Sequence, residues 1–175
     1  MPKTVTSRTA RTSEPAAGLP DVPSMYGLRP RTQSLSFAYA EKRLVESRNY
    51  WICTTRPDGR PHSIPMWGFW IDGAIYFGTA RPSRKARNLA GNPAISIHLE
   101  SGDDVVILEG SADEVDLNEV AIFKKLDAAS RTKYKMPFMI VPGESVVYSV
   151  RPRMVLAWTE NDFPKTATPW SFETA

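Results

Sequence analysis

Four cations fall within seven residues, at Arg81, Arg84, Lys85 and Arg87, in the run Thr79-Ala80-Arg81-Pro82-Ser83-Arg84-Lys85-Ala86-Arg87-Asn88. Pro82 near the front of this run and Gly91 just past its end mark a short helix over residues 82–90. A helix opens with unpaired N–H groups and a partial positive charge, so cations in its first turn oppose the macrodipole. A sequence tuned for stability alone would place acids there. Orphan N–H groups, the Ser83 hydroxyl and several basic side chains together make a site for a phosphate or a carboxylate. Composition alone carries the reading to an acidic or phosphorylated ligand and no further.

Other chemical constellations are missing. The sequence holds no HExxH, no CxxC, no phosphate loop and no GxSxG. His62 and His98 are its only histidines, and neither is paired in sequence with a nucleophile. Asp103 and Asp104 read as solvated turn-formers, and the single cysteine, Cys53, excludes a disulfide framework or a multi-cysteine metal site. No metal is expected. Trp67, Phe69 and Trp70 could wall a planar substrate or simply fill the core and a dimer interface. Arg56 and Arg60 flank a turn and read as solvated.

The elements that must position these residues are mostly strands. Residues 34–48 space Leu35, Phe37, Ala38, Leu44 and Val45 as an amphipathic helix, and residues 116–134 repeat the pattern. Between and beyond them lie extended runs at 50–56, 60–71, 74–79, 94–99, 105–110, 145–150 and 154–158. Pro57-Asp58-Gly59 and Asp72-Gly73 are turn signals that predict two successive hairpins and an antiparallel meander. Pro61 and Pro65 require a bulge, an edge or a strand start. At least six strands with peripheral helices favour a small antiparallel barrel, mainly β, over a parallel α/β sheet.

The chain of 175 residues suits one domain, over 34–175, behind a basic, proline-rich segment 1–33 expected to be disordered or draped over the body. That segment holds Lys3, Arg8, Arg11, Arg29 and Arg31 against Glu14 and Asp21, which accounts for the whole net charge of +3. A neutral body argues against nucleic acid as a partner. The longest uncharged apolar stretch, 64–71, is far below the ~20 residues of a membrane span. With no secretory start, cytoplasm is the expected location.

The order of these signals resembles the pyridoxamine 5'-phosphate oxidase-like, FMN-binding split-barrel superfamily. The likeness covers roughly residues 35–160. It is carried by the two Asp-Gly turns, Pro65, Gly78-Thr79, Ser83-Arg84-Lys85-Ala86 and Asn92-Pro93. It implies a six-stranded antiparallel split β-barrel that pairs as a homodimer, with a flavin or deazaflavin at the interface. By the same resemblance Gly78, Thr79, Ser83, Arg84, Lys85 and Asn88 would hold the cofactor's ribityl and phosphate end. His62, Ser63, Ile64, Pro65, Met66 and Trp67 would line the ring edge, largely through backbone groups. Trp158 would close the site from the last strand, either of its own subunit or of the partner's.

Departures from the pattern sharpen the expectation. Oxidases of pyridoxamine phosphate carry an arginine and a lysine where this chain has His62 and Trp67, and arginines soon after the late tryptophan, where 159–168 has none. Lys165 does not replace a bidentate arginine. The resemblance is therefore to the branch with coenzyme F420-dependent reductases, which implies an oxidoreductase moving a hydride between coenzyme F420, or else FMN, and a planar conjugated small molecule. The catalytic proton donor is unassigned, with water, Tyr76 or His62 as sources. The alternative is a non-catalytic flavin or haem binder on the same barrel, with His62 as a candidate iron ligand.

Overall fold

The computed structural model describes residues 15–21, 23 and 34–172. Helix α1 (Phe37–Glu46) leads into β1 (Asn49–Thr55), β2 (Pro61–Trp67), β3 (Phe69–Ile71) and β4 (Ala74–Ala80). Helix α2 (Arg84–Gly91), β5 (Ala94–His98), β6 (Asp104–Glu114), α3 (Val120–Tyr134) and β7 (Ser145–Thr159) follow. A 3-10 turn at Glu160–Asp162, a one-turn α4 (Phe163–Thr166) and β8 (Thr168–Ser171) complete the order.

The strands form one antiparallel sheet in the order β2-β1-β5-β6-β7-β4-β3, with β8 added to β7. It curls into a half-barrel, the mainly β split-barrel architecture expected, though with eight strands rather than six. Two breaks account for the difference. Residues 60–71 divide at Gly68, where a Cβ would stand 2.9 Å from Tyr76 O, and β8 comes from sequence beyond Trp158. The meander is also corrected. The turns at Asp58-Gly59 and Asp72-Gly73 do close hairpins β1–β2 and β3–β4, but β2 and β3 lie at opposite ends of the sheet.

Residues 145–150 and 154–158, read as two strands, are the single strand β7. It runs through Pro152 at a bulge, where the register with β6 shifts between Glu109 and Gly110. Gly110 is needed there, since a Cβ would fall 2.5 Å from Arg151 O. Helix α3 starts at Val120 rather than near 116, because the Asp116 carboxylate accepts from Asn118 N and holds an Asx turn.

Alternation along the strands builds two apolar layers. Inside the curl, Ile52, Ile75, Phe77, Ile97, Leu108, Val150 and Trp170 pack with Phe37, Ala40 and Leu44 of α1. On the outer face of β3 and β4, Phe69, Ala74 and Tyr76 pack with Leu126 and Tyr134 of α3. Part of the 1–33 segment meets the sheet, where Ala17 bridges to Trp170 and Gly18 N donates to Pro169 O. The expectation for residues 1–14 and 24–33 lies outside the described residues.

Candidate functional site

The cradle is built where β4 hands over to α2. Ser83 is the N-cap of α2, and its hydroxyl oxygen accepts from Ala86 N at 3.2 Å and from the Thr79 hydroxyl at 3.1 Å. Both acceptor positions are thereby used, which leaves the Ser83 proton to donate outward. Gly78 pairs with Val147 of β7 just before, and its Cα faces the Phe138 ring.

The four cations of the run divide into two kinds. Arg81 is neutralised by Glu114 at 3.2 Å, and exposed Arg87 spends one N–H on Pro82 O. Arg84 is exposed and has no carboxylate partner among the described residues. Lys85 is 7% exposed and equally without an acid, and burial lowers its ammonium below the ordinary lysine range. A desolvated cation with no counter-ion is costly, and a bound anion would offset that cost.

Helix α2 lies against the β1–β2 hairpin. Asn88, 1% exposed, donates from Nδ2 to Thr54 Oγ1 at 2.9 Å, and Thr54 Oγ1 lies 3.5 Å from His62 Nδ1. His62 is held below the usual histidine range by burial first, then by Arg56, Lys85 and Arg84. Arg56 thus belongs to the cluster, and its buried Nε has no acceptor, in contrast to the solvated role expected of it. Arg60 does sit in solvent, paired with Asp58 at 2.7 Å. The arrangement is three cations and a neutral imidazole around one helix N-terminus, with no acid among them.

Strand β2 runs from this cluster along the sheet edge. It pairs with β1 alone, which leaves its outer backbone groups open and explains why Pro61 and Pro65 are tolerated. The pleat splits the expected ring-facing segment into two faces. His62, Ile64 and Met66 are half-buried on the side of Thr54, Ile52 and Tyr50, whereas Ser63, Pro65 and Trp67 are exposed on the other. Of the three rings proposed as a wall, Phe69 and Trp70 are buried in separate layers, and only Trp67 is open, at 45%. Tyr76 faces α3 and is pushed up by burial, away from the cradle.

A profile of the family described as pyridoxamine 5'-phosphate oxidase matches residues 39–159, which include every one of these groups. The chain belongs to this family. No curated protein matches it. Among solved structures, a conserved hypothetical protein from Mycobacterium tuberculosis is 28% identical, covers 71% of this chain and 85% of its own, and superposes with a TM-score of 0.61. A structure described as an F420 reductase is 26% identical over 65% of this chain and 94% of that one, with a TM-score of 0.51. PhzG from Burkholderia lata, in complex with tetrahydrophenazine-1-carboxylic acid, shares the fold at 19% identity, over 70% of this chain and 75% of that one, with a TM-score of 0.52.

Set against this family's pattern, one expected residue stands apart. Trp158 and Val146, the partner of Thr79, lie on the same strand β7, separated by about 40 Å of extended chain. Trp158 therefore does not join the cradle of its own chain. Its Nε1 is buried without an acceptor, and its ring meets Phe163 edge-on at 5.7 Å. The residues that sequence reading missed are Thr54 and Arg56. Both lie on a hairpin that α2 covers in three dimensions, and no local spacing announces that packing. Among the described residues no cluster of three metal-ligating side chains occurs, and no helix is long and apolar enough to cross a membrane.

Proposed function

We propose that this chain is an oxidoreductase that uses a phosphate-bearing deazaflavin, coenzyme F420, or else FMN, to exchange a hydride with a planar conjugated small molecule. The observation that carries the reading is Lys85, buried and unneutralised at the N-terminus of α2 beside Arg84 and Arg56. Three cations without an acid suit a ligand bearing several acidic groups, which favours F420 over FMN. The F420 reductase among the similar structures supports the same choice.

In this reading Arg84 and Lys85 bind the phosphate, with the Ser83 proton and the first N–H groups of α2 completing the anion site. Arg56 adds a charge from the hairpin. His62, held below the usual histidine range by burial and then by its cationic neighbours, holds a ring proton as a hydrogen-bond donor rather than a fourth charge. The open edge of β2 orients the ring end through backbone groups. When bound, the cofactor supplies the hydride chemistry, and the protein binds, orients and excludes water. His62 and Trp67 stand where the pyridoxamine phosphate oxidases carry a cation each, so that substrate is not proposed here.

Trp158 closes the site of a second copy in a homodimer. A single cysteine without a partner accords with work in the cytoplasm. The test is a fluorescence titration of the purified chain with F420 and with FMN, in the wild type and in Lys85→Ala. Binding of F420 that collapses in the variant supports the reading. Failure of both ligands to bind the wild type removes it.

A further inference from the structure

At the far end of β2 from the cradle, Trp67 lies flat on Tyr134, with ring centroids 4.4 Å apart and planes 8° from parallel. Tyr134 is itself fixed. Its hydroxyl accepts from Gly68 N at 2.8 Å and lies 2.7 Å from Arg48 O and 2.9 Å from Gly68 O. Lys133 beside it spends its three protons on Ser47 O, Tyr50 Oη and Gly68 O, at 2.9, 2.9 and 3.3 Å. Helix α3 therefore clamps the point where β2 ends, and the ring above it cannot drift.

The exposure of Trp67 is unusual in its setting, because the next three residues, Gly68, Phe69 and Trp70, are all buried. One face of the indole is used by Tyr134, so its 45% exposure lies on the other. The Arg48 guanidinium is 5.5 Å from the Trp67 ring centre and 5.6 Å from that of Tyr134. Equal distances to two stacked rings put the cation beside the stack, at its edge, and leave the outer face of Trp67 clear. Neither Arg48 nor Lys133 has a carboxylate partner among the described residues. The stack is thus an aromatic surface with two cations and no acid.

We infer that the outer face of Trp67 is the platform on which the planar substrate stacks, and that Arg48 selects a substrate carrying a carboxylate at its edge. The inference deepens the proposed function and rests on it. A flat, preordered indole gains stacking energy without losing rotamer freedom, and a guanidinium at its rim presents a fork that matches a carboxylate. His62 and Trp67 are five residues apart on one extended strand, about 17 Å, and face opposite sides of it, so a ligand with its phosphate in the cradle reaches the stack only by passing across the open edge of β2.

The test uses the full chain with 2-naphthoate and its neutral isostere 2-naphthamide, followed by quenching of tryptophan fluorescence. The wild type should bind the acid more tightly than the amide by about tenfold, the weight of one charged hydrogen bond. Arg48→Met should abolish that preference. Trp67→Leu should weaken both ligands, with Trp67→Phe restoring part of the affinity because a ring is restored. Equal binding of acid and amide to the wild type, a preference that survives Arg48→Met, or unchanged affinity in Trp67→Leu would each overturn the inference. A chain that binds naphthoate in this pattern but neither F420 nor FMN would remove the proposed function and leave the platform. One that binds a cofactor with no acid preference would do the reverse.

Discussion

Asn88 donates to Thr54 Oγ1 across 2.9 Å, and through that bond helix α2 is locked to strand β1 beneath the cluster of cations. Asn88 is 1% and Thr54 5% exposed, so neither has water to fall back on. Replacing Thr54 by isosteric valine leaves the Asn88 amide wholly unpaired, because its Oδ1 already lacks a donor. Thr54→Val should therefore cost about 1–3 kcal/mol of stability, the range for a stranded buried polar group. Thr54→Ser, which keeps the oxygen, should recover most of it. Urea denaturation of the three proteins measures this, and a valine variant as stable as the wild type would show that the bond carries no weight.

Lys85 should respond in opposite senses in the absence and presence of ligand. Without ligand its ammonium is desolvated and unpaired, so Lys85→Met removes a buried charge while keeping the stem's packing. The ligand-free variant should melt no lower than the wild type. Cofactor affinity should fall by about 1.5–3 kcal/mol, the loss of a charged hydrogen bond. A variant that melts far lower would mean the lysine serves the fold, and one that keeps full affinity would remove it from the anion site.

How far the sequence could be read depended on whether a signal was local. The Asp-Gly turns and the prolines at an edge strand are set by neighbours in the chain and stand where expected. Helix α2 is shifted from the expected 82–90 to Arg84–Gly91, because Ser83 caps it through Ala86 N and leaves Pro82 outside, with Gly91 as its last residue. The cations of the 81–87 run were legible as a group, but their roles were not. Glu114, which takes Arg81, approaches only through the pairing of β6 with β7 and β7 with β4. Arg56 was hidden for the same reason, since its enclosure depends on contacts made in the folded chain. The clamp of Lys133 and Tyr134 on Gly68 joins residues 65 or more positions apart, and helical periodicity marked them only as one end of an amphipathic helix.

Lys133 should leave a mark on the pH dependence of stability. Burial lowers its ammonium from 10.5 to about 8, with no carboxylate opposing the shift. Below about pH 8 folded and unfolded chains both hold the proton, and the fold carries the cost of a desolvated charge. Between about 8 and 10.5 the folded chain releases it while the unfolded chain keeps it. The unfolded state then binds more protons, so stability rises with pH across that window. The Tyr50 and Tyr134 hydroxyls that face the amine are both pushed up by burial, so in the folded chain they resist ionising across the window. Urea midpoints measured at intervals from about pH 7 to about pH 10 should climb in the wild type relative to Lys133→Met. Parallel curves for the two proteins would mean that this lysine does not titrate there.

The separation of Trp158 from Thr79 along β7 makes a prediction about assembly. If Trp158 closes the partner's cradle in a homodimer, a site needs Lys85 from one chain and Trp158 from the other. Lys85→Ala and Trp158→Ala homodimers should each bind F420 poorly. Each heterodimer, formed by unfolding and refolding the two together, should regain one intact cradle, while its second site carries both defects. Cofactor titration of the mixture should thus recover a fraction of sites at wild-type affinity that neither variant shows alone. The buried Nε1 of Trp158 has no acceptor among the described residues, which give this side chain no polar role that Trp158→Ala would abolish. No recovery on mixing, with both variants folded, would place Trp158 outside the site altogether.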